Sequence, residues 1–244
     1  MTVVIVGASA GLGRALAVEL ARQGSPLLLV ASDARDLEAG ASDLSLRFGV
    51  PVAIVATDAA DAAGLVEGLR VGLAGLTPPE ALLLPIGVAD VDDTPLLEAG
   101  RASRLVDVNL LAVVAAVGEV LPGMIERRRG VVVGFGSVAA ARGRSRNAVY
   151  AAAKRALASY FESLRHFSTP AGVGVAFYVL GYMDTRLAAG RRLLLPRAAP
   201  QAVARRVVRR LGRDRGVHYL PRYWFALALV LKALPHAIYR RLDF

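Results

Sequence analysis

Tyr150 and Lys154 stand four residues apart in the Ala-rich stretch YAAAKRAL. On a helix that spacing puts both side chains on one face. An ammonium beside a phenol favours the phenolate and lowers a pKa that is ordinarily about 10, so the tyrosine becomes a usable acid or base near neutral pH. The pattern alone is very common and by itself reads as ordinary helix. Two more residues narrow it: Ser137 closes the apolar run VVVGFGS, and Asn109 sits upstream in VDVNLL. The lysine is also conspicuous by composition. Of 30 basic residues, 28 are Arg and only 2 are Lys, Lys154 and Lys232. An ammonium is a compact point charge, whereas a guanidinium is a planar fork.

These four residues need a scaffold, and the apolar pattern supplies one. Nearly continuous β-type runs at residues 3–6, 27–30, 52–55, 81–84, 131–135 and 173–180 read as strands buried on both faces. Helical patterns lie between them, at about 11–23, 34–48, 62–75, 103–128 and 148–168. A basic helix near 200–211 and a terminal helical segment near 221–241 follow. This alternation predicts an α/β, doubly wound, Rossmann-like three-layer fold around a parallel sheet. No domain boundary interrupts it, so residues 1–220 read as one domain and 221–244 as a C-terminal amphipathic helical extension. Ser137 would then lie at the C-terminal end of the fifth strand, where ligands of open α/β sheets bind.

The first strand runs into GASAGLG, with Gly7, Gly11 and Gly13. Such a turn lets the chain leave a strand sharply, lets a pyrophosphate approach the backbone and opens a helix toward the phosphates. A tight strand-to-helix turn without a ligand has the same composition.

With that turn, Asn109, Ser137, Tyr150 and Lys154 in order, the chain resembles the short-chain dehydrogenase/reductase family over nearly its whole length. The resemblance implies that Asn109, Ser137, Tyr150 and Lys154 form a catalytic tetrad. Tyr150 would protonate a carbonyl oxygen as hydride arrives from a nicotinamide, and Ser137 would hydrogen-bond the same oxygen. Lys154 would hold the nicotinamide ribose and tune Tyr150, and Asn109 would keep a water in the proton relay. Gly7, Ser9, Ala10, Gly11, Leu12 and Gly13 would cradle the cofactor. Asp58 and Ala59, after the third strand, would meet its adenine. Gly87, Gly181 and Thr185, with Tyr150 and Lys154, would hold its nicotinamide end.

Two positions depart from the family pattern. The usual Asn-Asn-Ala-Gly after the fourth strand is Leu84-Pro85-Ile86-Gly87 here, so only the glycine is kept. The usual Pro-Gly near the nicotinamide is Leu180-Gly181. An acid at the end of the second strand marks NAD users of the family. Here that place falls on Ala31 and Ser32, which leave room for a 2′-phosphate that Ser9, Ser32 or Arg35 could contact. NADP(H) is therefore favoured over NAD(H), although Asp33 favours NAD(H) if the register slips.

Charge is unevenly placed. Residues 1–185 carry 16 basic and 18 acidic side chains, and residues 186–244 carry 14 basic and 2 acidic. A GC-rich genome explains Arg over Lys but not this confinement to one end. An anionic partner fits: a membrane surface, a phosphorylated substrate or nucleic acid. Nucleic acid is not expected, because no recognised module and little aromatic interleaving accompany the charge.

Two basic features stand out. Arg142, Arg144 and Arg146 lie between the serine and the tyrosine and suit a substrate phosphate, or equally a solvated loop. In the C-terminal segment the apolar run at 223–231 is far short of the ~20 residues that span a bilayer. On a helical wheel Arg222, Lys232, His236 and Arg240 fall within an arc of roughly 80°. This is the pattern of an interfacial helix, and equally of a terminal helix packed on the domain or on another subunit.

With R-x-R-x-x-N-x-V-Y before the lysine, this ending is similar to the keto-sugar reductases of the decaprenylphosphoryl-ribose epimerase system. That resemblance implies a lipid-linked sugar substrate on a polyprenyl phosphate and a flavin oxidase partner. It also implies a role in cell-envelope polysaccharide synthesis, at the inner membrane face of the cytoplasm. The family implies a homo-oligomer. Two other readings stand beside it: a soluble carbonyl reductase for a small ketone or 3-oxoacyl substrate, and a non-catalytic NADP(H)-binding sensor or scaffold.

The absence of cysteine excludes disulfides and thiol chemistry, and His166, His218 and His236 are too scattered for metal-ligand spacing, so no metal is expected. The opening MTVVIVGASAG lacks a basic n-region and reads as a strand rather than a leader.

Overall fold

The computed structural model describes residues 1–184 and 196–241. Within them, strands β1 (Thr2–Val6), β2 (Leu27–Ala31), β3 (Val52–Ala56), β4 (Pro79–Leu84), β5 (Gly130–Ser137), β6 (Val173–Leu180) and β7 (Gly216–Leu220) form one sheet. Their order is β3-β2-β1-β4-β5-β6-β7, and every neighbouring pair is parallel. The order of addition reverses between β1 and β4, so the chain leaves these two strands in opposite directions. A crevice opens there, at the carboxyl ends of the strands.

Alternate residues of each strand serve opposite faces, as the two-residue period requires. Val3 and Ile5 pack with Leu16 and Leu20 of α1 (Gly11–Arg22), Leu37 of α2 (Ala34–Phe48) and Val203 and Val207 of α7 (Pro200–Arg210). Val4 and Val6 pack with Leu65 of α3 (Ala62–Leu73), Val113 of α5 (Ala112–Glu126) and Leu157 and Phe161 of α6 (Ala148–Ser168). This is the doubly wound, three-layer arrangement that the sequence pattern predicts. β7 carries no continuous apolar run of the kind that marks the other strands. Its sequence, GVHYL, alternates because it is an edge strand, with Val217 facing outward.

The long fourth helical segment is not uniform. It begins at α4 (Ala99–Val106), passes through a π-helical turn at Asp107–Leu111, and continues as α5. By length and composition Ala99–Glu126 could cross a membrane, but Val113, Ala116, Val117 and Val120 are buried in the sheet's core cluster.

The C-terminal segment is two helices rather than one. α8 (Tyr223–Ala233) ends before Pro235, and the short α9 (His236–Tyr239) begins after it. Proline cannot donate to the helix ladder, and its ring clashes with the preceding turn. The basic arc drawn on one continuous helix therefore spans two.

Candidate active site

The cleft beyond β1 and β4 has a volume of about 1200 Å3. Ser9, Ala10, Gly11 and Leu12 form one wall, and Tyr150 and Lys154 lie further along it. The glycine turn has the geometry its composition promises. Gly7 and Gly11 have positive φ, 97° and 51°. A Cβ on Gly7 would come within 2.8 Å of the Ile86 α-carbon, and one on Gly13 within 1.9 Å of the Gly7 carbonyl oxygen. Gly13 itself is buried under the turn and does not line the cleft. The N-cap of α1 is Ala10, which offers no side-chain acceptor, and the first turn carries no acid. A helix N-terminus left this way, opening into a cleft, suits a pyrophosphate.

At the end of β2 the backbone fixes the register. Ala31 is the last strand residue and Ser32 is exposed immediately after it. Asp33 is occupied otherwise: its carboxylate accepts the Asp36 N–H at 2.9 Å and caps α2. Ser32 to Arg35 line a shallow groove beside the main cleft. Arg14 donates to the Ser9 carbonyl and pairs with Asp36 at 3.3 Å. Asp58 and Ala59 also line the cleft. The Asp58 carboxylate accepts the Ala60 N–H at 3.0 Å and an Arg104 N–H at 2.9 Å, which together hold it below the usual carboxylate range. Arg104 is a cleft residue that sequence reasoning does not single out.

Lys154 is buried in the first half of α6. Its Nζ donates to the Ile86 carbonyl at 3.1 Å and the Phe135 carbonyl at 3.3 Å, and lies 6.0 Å from the Tyr150 ring centre. Burial lowers its pKa to about 8, because desolvation disfavours the ammonium. The first of these carbonyls belongs to the Leu84-Pro85-Ile86-Gly87 turn, which therefore holds the lysine through its backbone.

Asn109 sits in the π turn and is completely buried. Its Nδ2 donates to the Val88 carbonyl at 2.8 Å and the Leu105 carbonyl at 2.9 Å. Its Oδ1 has no hydrogen-bond partner among the described residues. A Cβ on Gly87 would lie 2.9 Å from that oxygen and 3.3 Å from Lys154 Nζ, so the two polar groups converge on space that only a glycine leaves open. π turns recur at functional sites because they redirect a side chain without ending the helix. Ser137 closes β5 just beyond Gly136, a cleft residue, and its Oγ accepts the Ala139 N–H at 3.1 Å.

Asp93, which the sequence reading passes over, holds the helix that carries Tyr150. Asn147, at the N-cap of α6, gives no side-chain cap and has φ 54°. Asp93 supplies the cap from the loop after β4. Its Oδ1 accepts the Val149 N–H and its Oδ2 the Tyr150 N–H, each at 2.9 Å. Its carbonyl accepts the Asn147 N–H at 2.7 Å. Arg101 binds Asp90 and Asp92 and braces the same loop.

The remaining expected residues fall in three places. Gly181 does not line the cleft; its α-carbon presses on Trp224, whose Nε1 would meet a Cβ at 1.8 Å. Thr185 lies outside the described residues. Arg142 faces the C-terminal helices rather than the cleft. It donates to the Leu231 carbonyl at 2.9 Å and to the Leu234 carbonyl, and stacks 4.1 Å from the Tyr239 ring centre. Those contacts commit its guanidinium to the end of α8, while Arg144 is part-buried and Arg146 exposed in the loop before α6.

Residues 1–193 match the family model described as short chain dehydrogenase. An uncharacterized oxidoreductase of Myxococcus xanthus is 32% identical over 195 residues, covering 80% of this chain and 77% of its own. A very-long-chain 3-oxoacyl-CoA reductase of Aspergillus clavatus is 28% identical over 221 residues; the match spans 87% of this chain but 62% of that protein. Among solved structures, a short-chain dehydrogenase from Sphingobium yanoikuyae in complex with NADPH superposes with a TM-score of 0.83 at 25% identity, covering 97% of each chain.

Proposed function

This chain belongs to the short-chain dehydrogenase family, and from that premise we propose that it is an NADP(H)-dependent ketoreductase for a ketone carried on a long apolar chain, of the 3-oxoacyl type. The observation that carries the reading is Lys154, buried at the foot of the cleft on the helix that presents Tyr150. A buried ammonium whose hydrogen bonds among the described residues go to carbonyls is costly unless it serves chemistry.

The turn from Gly7 to Gly13, with Ser32, Asp58, Ala59, Gly87 and Lys154, would hold a nicotinamide cofactor, which supplies hydride when bound. Tyr150 gives its phenolic proton to the substrate carbonyl oxygen and Ser137 fixes that oxygen by a hydrogen bond. Lys154 stabilises the phenolate left behind, and Asn109 orders the polar chain that returns a proton to it. The 2′-phosphate preference is supported by Ala31 and Ser32 at the strand end, by the capping role of Asp33, and by Arg35 in the adjoining groove. The ketone class is supported by the similarity to the 3-oxoacyl-CoA reductase of Aspergillus clavatus. Purified protein mixed with NADPH and a long 3-oxoacyl thioester should consume NADPH, and Tyr150→Phe should abolish the turnover. No turnover of any ketone with either nicotinamide would leave the cofactor-sensor reading.

A second reading, a keto-sugar on a polyprenyl phosphate supplied by a flavin oxidase, is favoured by Arg144 and Arg146 just before the Tyr150 helix. It predicts that Arg144→Ala with Arg146→Ala raises KM for a phosphorylated substrate and leaves a phosphate-free ketone unaffected. Self-association is supported by an apolar groove between α5 and α6, lined by Leu121, Ile125 and Tyr160 beside an exposed Phe167.

A further inference from the structure

The inner side of α8 is fixed to the domain. Trp224 and Ala228 are buried, Gly181 lies on the Trp224 indole, and Arg142 holds the carbonyls of Leu231 and Leu234. Among the described residues the outer side has no such cover. Phe225, Leu229 and Val230 are 52%, 51% and 56% exposed, and Ile238 on α9 is 51% exposed. Arg222 and Lys232 at the two ends of α8, and His236, Arg240 and Arg241 in and just after α9, are all exposed. No acidic residue occurs between Arg215 and Arg241.

We propose that this outer face of α8 and α9 docks the protein on an anionic lipid surface. Large apolar side chains ringed by cations match a bilayer with negatively charged headgroups: the apolar centre enters the acyl boundary and the rim meets phosphate. At 11 residues α8 is too short to span and lies in the plane. Charge decides against a second copy of this chain. A two-fold interface sets one patch against the same patch, which would bring this cationic rim against itself.

Docking in this way deepens the ketoreductase reading and rests on it for the substrate. Through Trp224 beneath Gly181 and through Arg142 before α6, the face is joined to elements bordering the cleft. A ketone with a lipid tail could then enter from the surface without leaving it completely. Vesicle binding is measured without turnover, so docking and the ketoreductase reading can fail separately.

The test uses the full chain with two sets of vesicles, phosphatidylcholine alone and phosphatidylcholine with phosphatidylglycerol. The protein should co-sediment with the anionic vesicles, less so as salt rises, and little with the neutral ones. Phe225→Ser with Leu229→Ser, and separately Lys232→Glu with Arg240→Glu, should each cut the bound fraction about tenfold. If the apolar pair fails to fold, the charge pair alone carries the test, because its side chains are exposed. No binding to anionic vesicles at low salt, equal binding to neutral ones, or binding that survives the charge pair overturns the proposal. So does a dimer in light scattering that either pair dissociates, which would assign the face to a second copy.

Discussion

The Asp93 carboxylate accepts the backbone N–H of Tyr150 at 2.9 Å across 57 residues of chain. The loop after β4 thus completes the first turn of the helix that carries the proton donor. Asp93→Ala should cost about 1–2 kcal/mol of stability. If the cap also positions the phenol, kcat should fall roughly tenfold or more while KM for the cofactor holds. Asp93→Asn, which can still accept one N–H, should recover part of both. Thermal melts and steady-state kinetics of the two variants check this; a fall in melting temperature with kcat unchanged would leave the cap purely structural.

Lys154 should titrate at about 8 in the cofactor-free protein, because burial disfavours its charge. With only two lysines, 13Cε-labelled lysine gives two NMR signals, and Lys154→Met identifies which is which. The sign for stability follows from the same shift. Below about 8 the folded protein holds a buried charge that the unfolded chain holds at no cost. From about 8 up to the ordinary lysine value of 10.5 the unfolded chain binds more proton, so this group's contribution to stability rises with pH across that window. A Lys154 signal that does not move until above pH 10 would contradict the burial.

Ser32→Asp should turn the cofactor preference from NADPH toward NADH by about tenfold or more, a change of about 1.4 kcal/mol. The new carboxylate would repel a 2′-phosphate and accept from ribose hydroxyls. Ratios of kcat/KM with the two cofactors measure it, and no change would move the phosphate site away from Ser32.

Gly181→Ala should destabilise the fold by about 1–3 kcal/mol, since its Cβ would occupy the Trp224 ring. Pairing it with Trp224→Leu should restore part of the loss by making room. Trp224→Phe alone should be mild, because Trp224 Nε1 is buried with no partner among the described residues and its removal offsets some lost packing. Denaturant midpoints of the three variants decide the matter.

How far the sequence reached depends on how local each signal is. The glycine turn and the Tyr150–Lys154 spacing are local, and the buried strands announce themselves as apolar runs; these were legible. Asp93 was not. It is one of three acids in VADVDD, and its partners lie more than fifty residues away, so no spacing marks it. Arg142 misled for the complementary reason. Three arginines in one short stretch resemble a phosphate cluster, but the first is claimed by carbonyls some ninety residues downstream. The break at Pro235 follows from the missing proline donor, and what the sequence could not show is that Arg142 and Tyr239 hold the two resulting pieces.

The π turn at Asp107–Leu111 imposes a length on the chain as well as a shape. A π turn holds about one residue more than the α turn it replaces, so losing one residue there would let the ladder close as regular α with α4 and α5 near their present faces. Val113 and Val117 would keep their places in the core, but Asn109, carried by the turn itself, would swing away from Gly87 and Lys154. Side chains in this stretch can therefore drift more freely than its residue count. Among homologous chains, a one-residue gap between positions 106 and 112 would be a cheaper sign of lost chemistry than many substitutions.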